Sequence, residues 1–246
     1  MSYIITTICV GPKYEMIKQH WLNRINEKCK TEEIIIFDNT TIISSEIISY
    51  EYAWWHVVRL HKNILLCLTK NKPIIHIDMN IIIEKELEEI VNLPYDFIIS
   101  SEITKYKSFP KYSQKLGFGI CSDFYVIKKS ALNFMLKILN NMEIKLYNSL
   151  SDQVNIMNYI VKNKYNIKEE ECLLNNIKFK NKIIEIDNIK ICILDFNIIT
   201  RDPIILKNQF GNHINIENVG GVENFIKYFY EPLESLSLRC RRGKNT

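Results

Sequence analysis

The chain has 246 residues, of which 47% are hydrophobic and 24% are charged, and its formal net charge is +4. This length and composition predict one large globular domain and exclude a disordered or fibrous chain. The net charge is too mild to imply nucleic acid as the main partner, and the apolar runs, such as residues 81–83, are too short to cross a bilayer.

The N-terminus and the cysteines predict a cytoplasmic location. Residues 1–3 lead straight into an apolar run, without the basic stretch and the cleavage site of a secretory signal. The seven cysteines are odd in number and never spaced as C-x-x-C, which argues against a disulfide framework or a zinc cage. The heavy use of Ile, Asn and Lys indicates AT-rich coding, as in some parasites and large DNA viruses; for a virus, the location would be the viral or host cytoplasm.

Apolar periodicity predicts alternating strands and helices in the first third of the chain. The predicted order is a strand at 3–10, a helix at 14–29, a strand at 33–37, a helix at 50–70 and a strand at 74–77. Short connections between such elements are typical of a parallel sheet wound with helices. The predicted fold class is therefore α/β, with a mixed but mostly parallel sheet flanked by helices.

Shorter elements are predicted in the rest of the chain. They are a helix at 84–91, strands at 97–99 and 124–127, helices at 131–139 and 149–161, a hairpin of strands 183–186 and 189–194, and a helix at 222–230. The polar, basic and aromatic segment 104–118 is predicted to be a mobile loop near a site. Since no linker or repeat divides the chain, we expect a single domain over 1–232 and a flexible basic tail over 233–246.

The strand at 74–77 ends in a carboxylate, Asp78, which is followed by Met79 and Asn80. In open α/β sheets, ligands bind beyond the carboxyl ends of the strands. A charge at that position needs a partner, and the oxygen atoms of Asp and Asn suit Mg²⁺ or Mn²⁺. Two alternatives are as good on spacing alone: Asp78 caps the next helix, or it pairs with a lysine.

The order of a helix, a Lys72-Pro73 turn, an apolar strand and Asp78-Met79-Asn80 resembles the metal-binding segment of GT-A nucleotide-sugar glycosyltransferases. The resemblance implies a GT-A (Rossmann-like) fold, in which this segment holds the metal that grips the diphosphate of the donor. It makes Asp78 and Asn80 metal ligands and Met79 a substrate contact. Asn80 stands where the second Asp of the family is commonest, and its amide oxygen contributes no charge to the site.

A second block, Asp152-Gln153 followed by an apolar residue and Asn155, resembles the Asp-Gln helix of glycogenin-like and lipopolysaccharide-type retaining transferases. The resemblance implies that Asp152 holds hydroxyl groups of the donor sugar and that Gln153 lies beside the anomeric carbon. The alternative is structural, because Ser149 and Asp152 form a pattern close to a helix capping box.

Further substrate contacts are expected where the first two strands end. Thr7 and Val10 are placed to flank a uracil ring, as the first strand of the family does, and Asp38 is placed to accept a hydrogen bond from a base or ribose. Lys62, on the long helix, is a candidate for reaching the diphosphate. A turn role for Asp38 and a solvated lysine at 62 are the alternatives.

Two candidates complete the expected site. The Asn-x-Gly that the family usually has between its two blocks is missing here, and Ser122 or Asp123 is the expected substitute. In many GT-A enzymes a late histidine completes the metal site, and His213 is the best-placed candidate for that role. A surface or packed histidine is the alternative.

Together, these blocks predict a metal-dependent glycosyltransferase with Mn²⁺ or Mg²⁺ as its cofactor. It would move a sugar, in a hexosyltransferase reaction that is retaining if the glycogenin-like resemblance holds, from a UDP-sugar to a glycan, protein or lipid. No nucleic-acid partner and no transmembrane segment are expected. The alternatives are an inverting enzyme with Asp152 as general base, a non-catalytic nucleotide- or glycan-binding module on the same fold, a nucleotidyltransferase and a metal-dependent nuclease.

Overall fold

The structure is a computed structural model that describes residues 2–38, 54–81, 83, 86–101, 110–141, 151–174, 177–194 and 221–229. Within these ranges the chain forms one eight-stranded sheet with α-helices packed against it, a mixed α/β fold. The strands are β1 (Ile4–Cys9), β2 (Glu33–Asp38), β3 (Ile74–Ile77), β4 (Phe97–Ser101), β5 (Ile120–Ile127), β6 (Asn166–Leu174), β7 (Ile177–Ile186) and β8 (Ile189–Leu194). The helices are α1 (Pro12–Lys28), α2 (Trp54–Lys70), α3 (Glu88–Asn92), α4 (Pro110–Leu116), α5 (Leu132–Asn140), α6 (Ser151–Lys162) and α7 (Val222–Phe229).

The strand order is β2-β1-β3-β5-β4-β8-β7-β6. The pairs β1–β2, β1–β3 and β4–β8 are parallel, whereas β3–β5, β4–β5, β6–β7 and β7–β8 are antiparallel. The predicted mostly parallel sheet is therefore wrong. The helices α1 and α2 lie between strands of the parallel pairs β1–β2 and β1–β3, whereas β5 is inserted antiparallel to both of its neighbours and the two-residue turn between β7 and β8 can connect only antiparallel strands.

Both faces of the sheet are covered by apolar layers. On one face Ile17, Trp21 and Ile25 of α1 pack against residues such as Ile5 and Ile77. On the other face, α2, α5 and α6 pack against the alternate residues of the same strands, such as Ile4 and Ile74. Because successive side chains of a strand point to opposite faces, Ile74 and Ile75 lie in different layers. This double burial explains the continuous apolar runs of the sequence.

Several predicted boundaries change in the structure. The segment 104–118 contains the short helix α4 over Pro110–Leu116, while residues 102–109 lie outside the described residues. The helix predicted at 84–91 is Glu88–Asn92. The strand β6 was not predicted at all, because 166–174 is rich in charge; it forms the edge of the sheet, where charged side chains are tolerated.

Two further predictions concern the C-terminal tail and membrane-spanning helices. The basic tail predicted at 233–246 lies outside the described residues. Over the parts of the chain that the structure describes, no helix combines the length and apolar character that a membrane span requires.

The predicted hairpin is confirmed, and its turn has a specific backbone geometry. Asp187 and Asn188 connect β7 to β8 with φ angles of 51° and 61°. Positive φ at both central residues is the type I′ turn, whose twist matches that of the flanking strands and which favours Asn and Asp among residues that carry a side chain.

Substitution of Asn188 tests this turn. Asn188→Ala is expected to lower the free energy of unfolding by about 1 kcal/mol, because alanine tolerates the left-handed conformation poorly, whereas Asn188→Gly should leave it unchanged or raise it. Asn133→Ala, at an exposed position in α5, is the matched control and should cost nothing. Urea unfolding measures all three, and equal stabilities of the two Asn188 variants would contradict the turn assignment.

Candidate active site

Two aspartates that the sequence singles out lie opposite each other where β3 and β5 meet. The backbone N–H of Asp78 donates to the carbonyl oxygen of Asp123 at 2.8 Å, which extends the β3–β5 ladder by one residue. The predicted metal ligand Asp78 and Asp123, an expected substitute for the missing Asn-x-Gly, therefore share one end of the sheet. The side chain of Asp78 is 17% exposed, so this corner of the site reaches solvent.

The N-terminus of α6 docks directly onto β5. Oδ1 of Asp152 accepts hydrogen bonds from the Ser122 hydroxyl at 3.0 Å and from the Gln153 backbone N–H at 2.8 Å. The backbone N–H of Ser122 points back to Oε1 of Gln153 at 3.4 Å. Asp152 thus accepts from the backbone of the first turn of α6 and anchors that turn to the sheet. The capping alternative stays a prediction, because it needs a contact with Ser149, which lies outside the described residues.

A buried arginine that the sequence analysis missed joins the two motifs. Arg59 of α2 is fully buried, and its Nη1 donates to Oδ1 of Asp78 at 2.8 Å. Its Nε donates to Oδ2 of Asp152 at 2.9 Å, and its Nη2 donates to the Ser122 hydroxyl at 2.7 Å. We refer to Arg59, Asp78, Ser122 and Asp152 as the arginine cluster. One guanidinium thereby sets the distance between the end of β3 and the start of α6.

The arginine cluster carries an excess of negative charge. Burial by itself would lower the pKa of the Arg59 guanidinium, but the carboxylates of Asp152 and then Asp78 outweigh burial and hold that pKa above its ordinary value. The guanidinium therefore stays cationic. One positive charge faces two carboxylates within hydrogen-bond distance, so the cluster has a residual attraction for a further cation.

A buried polar layer lies beneath Asp78. His76 is fully buried, its Nε2 lies 2.9 Å from Oδ1 of Asp78, and burial lowers the pKa of the imidazole below its ordinary value. Asn63 and Tyr125 extend this layer away from the site, since Nδ2 of Asn63 lies 2.7 Å from the tyrosine hydroxyl. His76 therefore lies in the core, but in direct contact with a predicted metal ligand.

The donor atoms at this corner fit a hard divalent cation in type and charge. Asn80 has a buried Oδ1 with no hydrogen-bond partner among the described residues, and a buried acceptor without a donor is costly. Asp78 and Asp123 carry carboxylate oxygens, and Mg²⁺ and Mn²⁺ prefer oxygen ligands of these types. Over the described ranges, no three His, Cys, Asp or Glu side chains are gathered into a metal cage, and His213 lies outside them.

The predicted nucleotide contacts gather at the ends of β1 and β2. Thr7 is buried in β1, and within the described part of the chain its hydroxyl has no hydrogen-bond partner. Val10 follows β1 and is partly buried, and Asp38 ends β2 in register with Cys9. Their roles as base or ribose contacts stay predictions.

Two other predicted contacts lie apart from this group. Lys62 is partly exposed on α2, one turn after Arg59. Met79 is fully buried in the apolar layer on the α1 side of the sheet, together with Trp21 and Ile81. Their predicted roles in binding substrate are not tested by this placement.

Sequence reasoning could have found Arg59 from its position on α2. Leu60, Ile64 and Cys67 form the apolar stripe of this helix, and all three are buried. Arg59 and Asn63 lie four residues apart beside that stripe, so they face the same side of the helix. A polar pair at this spacing on the inward side of a core helix indicates a buried polar network.

No protein-family model and no curated protein sequence matches the chain. Among solved structures, the chain is similar to three glycosyltransferase structures at low identity. One is a glycosyltransferase involved in the glycosylation of the major capsid of PBCV-1 (12% identity, 59% of this chain and 68% of that chain, TM-score 0.42). The second is mouse xyloside xylosyltransferase 1 (10% identity, 66% of this chain and 82% of that chain, TM-score 0.44).

The third similar structure is GlyE of Streptococcus pneumoniae TIGR4 (8% identity, TM-score 0.47), which aligns with 98% of this chain, although the chain spans only 64% of the length of GlyE. At such identities and TM-scores, none of the three similarities establishes the fold or the function of this chain.

Removal of the guanidinium tests whether the arginine cluster is held by charge. Arg59→Met is expected to lower the free energy of unfolding by about 3–5 kcal/mol, because it leaves two carboxylates without their buried counter-charge. Arg59→Lys should be intermediate, since a single ammonium cannot bridge both acids and Ser122.

Lys70→Met is the matched control on the same helix. It breaks an exposed pair with Glu33 and should cost below about 1 kcal/mol. Denaturant unfolding of the variants measures the difference, and an Arg59→Met protein as stable as Lys70→Met would show that the cluster does not hold α2, β3 and α6 together.

Proposed function

We propose that the chain is a metal-dependent glycosyltransferase of the GT-A kind, which moves a sugar from a nucleoside-diphosphate donor, a UDP-sugar, to a glycan, protein or lipid acceptor. The observation that supports this proposal is the arginine cluster. It brings together the Asp78-Met79-Asn80 and Asp152-Gln153 segments, the two blocks that resemble the metal-binding and sugar-binding segments of that family. Two motifs that resembled the family by coincidence would not be expected to lie together at one end of the sheet.

The charge at this corner suits a diphosphate bound through a cation. Asp78 and Asn80, with Asp123 facing Asp78 across the ladder, would hold Mn²⁺ or Mg²⁺, and His213 is the further ligand expected from the sequence. The cation would supply Lewis-acid stabilisation of the charge on the departing nucleoside diphosphate. Thr7, Val10 and Asp38, at the ends of β1 and β2, are proposed to receive the base and ribose.

The geometry of Asp152 favours positioning over proton transfer. Its two oxygens accept three hydrogen bonds, from Nε of Arg59, the Ser122 hydroxyl and the Gln153 backbone N–H, and its side chain has no exposed surface. A carboxylate with no exposed surface is poorly placed to take a proton from an incoming acceptor hydroxyl, which disfavours the inverting alternative with Asp152 as general base. We therefore propose that Asp152 and Gln153 orient the sugar and that the transfer is of the retaining, hexosyltransferase type.

A rigid site lowers the barrier by holding the reactants in a productive geometry. The cluster fixes its side chains with hydrogen bonds of 2.7–3.0 Å between buried groups, so little reorganisation is needed when the donor binds.

The proposal extends to the organisation of the chain. Residues 1–232 are proposed to form the single catalytic domain, with 233–246 as a basic tail, and the enzyme is proposed to act in the cytoplasm. The second candidate function is a non-catalytic nucleotide- or glycan-binding module, which the uncharged amide of Asn80 favours because it weakens the hold on a metal.

Thermal-shift screening of nucleotide-sugars, with and without Mn²⁺, separates the two candidates. For a transferase, we expect a donor that raises the melting temperature only when Mn²⁺ is present and that is then slowly hydrolysed. Stabilisation by a donor that is never turned over, even with candidate acceptors, would instead identify the binding module.

Substitution of Asp78 tests the metal-binding role. Asp78→Asn keeps the size of the side chain but removes one charge, so turnover of the donor in the presence of Mn²⁺ should fall at least about 100-fold. Glu169→Gln makes the same change on the exposed face of the edge strand β6 and should have no effect. Donor hydrolysis at saturating Mn²⁺ is the measurement, and equal rates in the two variants would remove Asp78 from the site.

A further inference from the structure

His76 contacts the predicted metal-binding carboxylate through one ring nitrogen and the protein interior through the other. Nε2 lies 2.9 Å from Oδ1 of Asp78. Nδ1 lies 3.3 Å from Nδ2 of Asn63 and 3.2 Å from the hydroxyl oxygen of Thr6. All of these groups are buried except the Asp78 side chain, which is partly exposed. The imidazole therefore connects the sheet interior to the open corner of the site.

The partners of the ring determine which nitrogen carries its proton. A carboxylate oxygen can only accept, so the contact with Asp78 requires a proton on Nε2 of His76. The amide nitrogen of Asn63 can only donate, so its contact with Nδ1 at 3.3 Å requires that Nδ1 is the acceptor. The two contacts together place the single proton of the ring on Nε2.

The plane of the ring is fixed as well as its proton. The imidazole stacks on the phenol of Tyr125 with ring centroids 4.9 Å apart and an interplanar angle of 23°. The hydroxyl of that tyrosine lies 2.7 Å from the same Asn63 amide that faces Nδ1. His76 is thus held at one face and at both nitrogens, which leaves it a single orientation.

This orientation determines where the Asp78 carboxylate points. Arg59 alone gives Oδ1 of Asp78 one hydrogen bond, from Nη1 at 2.8 Å, about which the carboxylate could pivot. His76 adds a second donor on the same oxygen from a different direction, with the two donor nitrogens 3.5 Å apart. Two converging donors fix the rotamer of Asp78, whose side chain is the partly exposed one in this network.

We propose that His76 is a positioning residue, which acts through Asp78 by donating from Nε2 and so presets the carboxylate for a metal-bound nucleoside diphosphate. The proposal rests on the proposed function for the identity of the ligand. The contact between the two side chains stands on the geometry alone. His76 touches no substrate in this arrangement, and its contribution is to ligand affinity rather than to the chemical step.

Two substitutions of similar size and polarity separate positioning from packing. In His76→Gln, the amide nitrogen can take the place of Nε2 and still donate to Asp78. In His76→Asn, the shorter amide takes the place of Nδ1, so it can satisfy Asn63 but cannot reach Asp78. Both variants lose the stacking on Tyr125, so both should lose a similar amount of thermal stability.

Equilibrium binding of UDP in the presence of Mn²⁺, measured by calorimetry, is the main readout. We expect about a tenfold increase in Kd for His76→Asn, the range seen when a partner of a metal-binding side chain is lost, and at most about a threefold increase for His76→Gln. Turnover, where it is measured, should show the same ratio in KM with little change in kcat. Equal Kd values for the two variants, or an unchanged Kd for His76→Asn, would overturn the proposal.

A second measurement needs no ligand and separates failure of this proposal from failure of the proposed function. Long-range ¹⁵N–¹H correlation spectra of the wild-type imidazole should show the proton of His76 on Nε2. A proton on Nδ1 would overturn the contact with Asp78 whatever the protein binds. A wild-type protein that binds no nucleotide, with or without Mn²⁺, would instead refute the proposed function, while the spectrum still decides whether His76 holds Asp78.

Discussion

The arrangement of this site depends on one buried guanidinium that must satisfy two carboxylates at once. Arg59 has no exposed surface, and a charge in that position is tolerated only when its partners are close and well oriented. Its partners come from the end of β3 and the start of α6, so the requirement of one side chain fixes the spacing of three elements. The hydroxyl of Ser122 in β5 accepts from Nη2 of Arg59 and brings a fourth element into the same network.

Such a network is better explained by a site than by stability. A buried ion pair is often no more stabilising than well-packed apolar side chains of the same volume, because desolvation offsets the attraction. Here the charges do not even balance, since two acids face one base, and Asn80 adds a buried acceptor with no donor among the described residues. These features are costly for a core and useful for binding a cation that carries a diphosphate. The polar layer of His76, Asn63 and Tyr125 then keeps the carboxylate in place.

The sequence was a good guide to local structure and to the two acidic motifs. Apolar periodicity located most helices and strands, and the Asp187-Asn188 pair identified the hairpin turn, because these signals depend on neighbouring residues only. Strand order is not local, so the antiparallel insertion of β5 between β3 and β4 could not be derived from the alternation of elements. Strand β6 was missed because its edge position, which allows its glutamates, is known only from the assembled sheet.

The candidate site was also predicted only in part, because some of its residues carry local signals and others do not. Asp78, Asp152 and Gln153 were recognised because each lies in a short motif at the boundary of a predicted element. Arg59 carries no motif, and a charged residue on a helix usually faces solvent, so its spacing from Asn63 beside the apolar stripe of α2 is the one local signal that it points inward. The partners that matter most to the two acids are thus distant in sequence, and His76 became significant only when its ring was placed against Asp78.

Paramagnetic broadening by Mn²⁺ tests the central claim, that a metal-bound nucleotide occupies the corner formed by the two acidic motifs. In amide spectra of the protein with UDP and a small amount of Mn²⁺, we expect the signals of Asp78, Asp123 and Gln153 to broaden most, while those of β6, at the far edge of the sheet, remain sharp. Broadening that is centred elsewhere, or that is unchanged when UDP is omitted and spread evenly over surface carboxylates, would contradict the account.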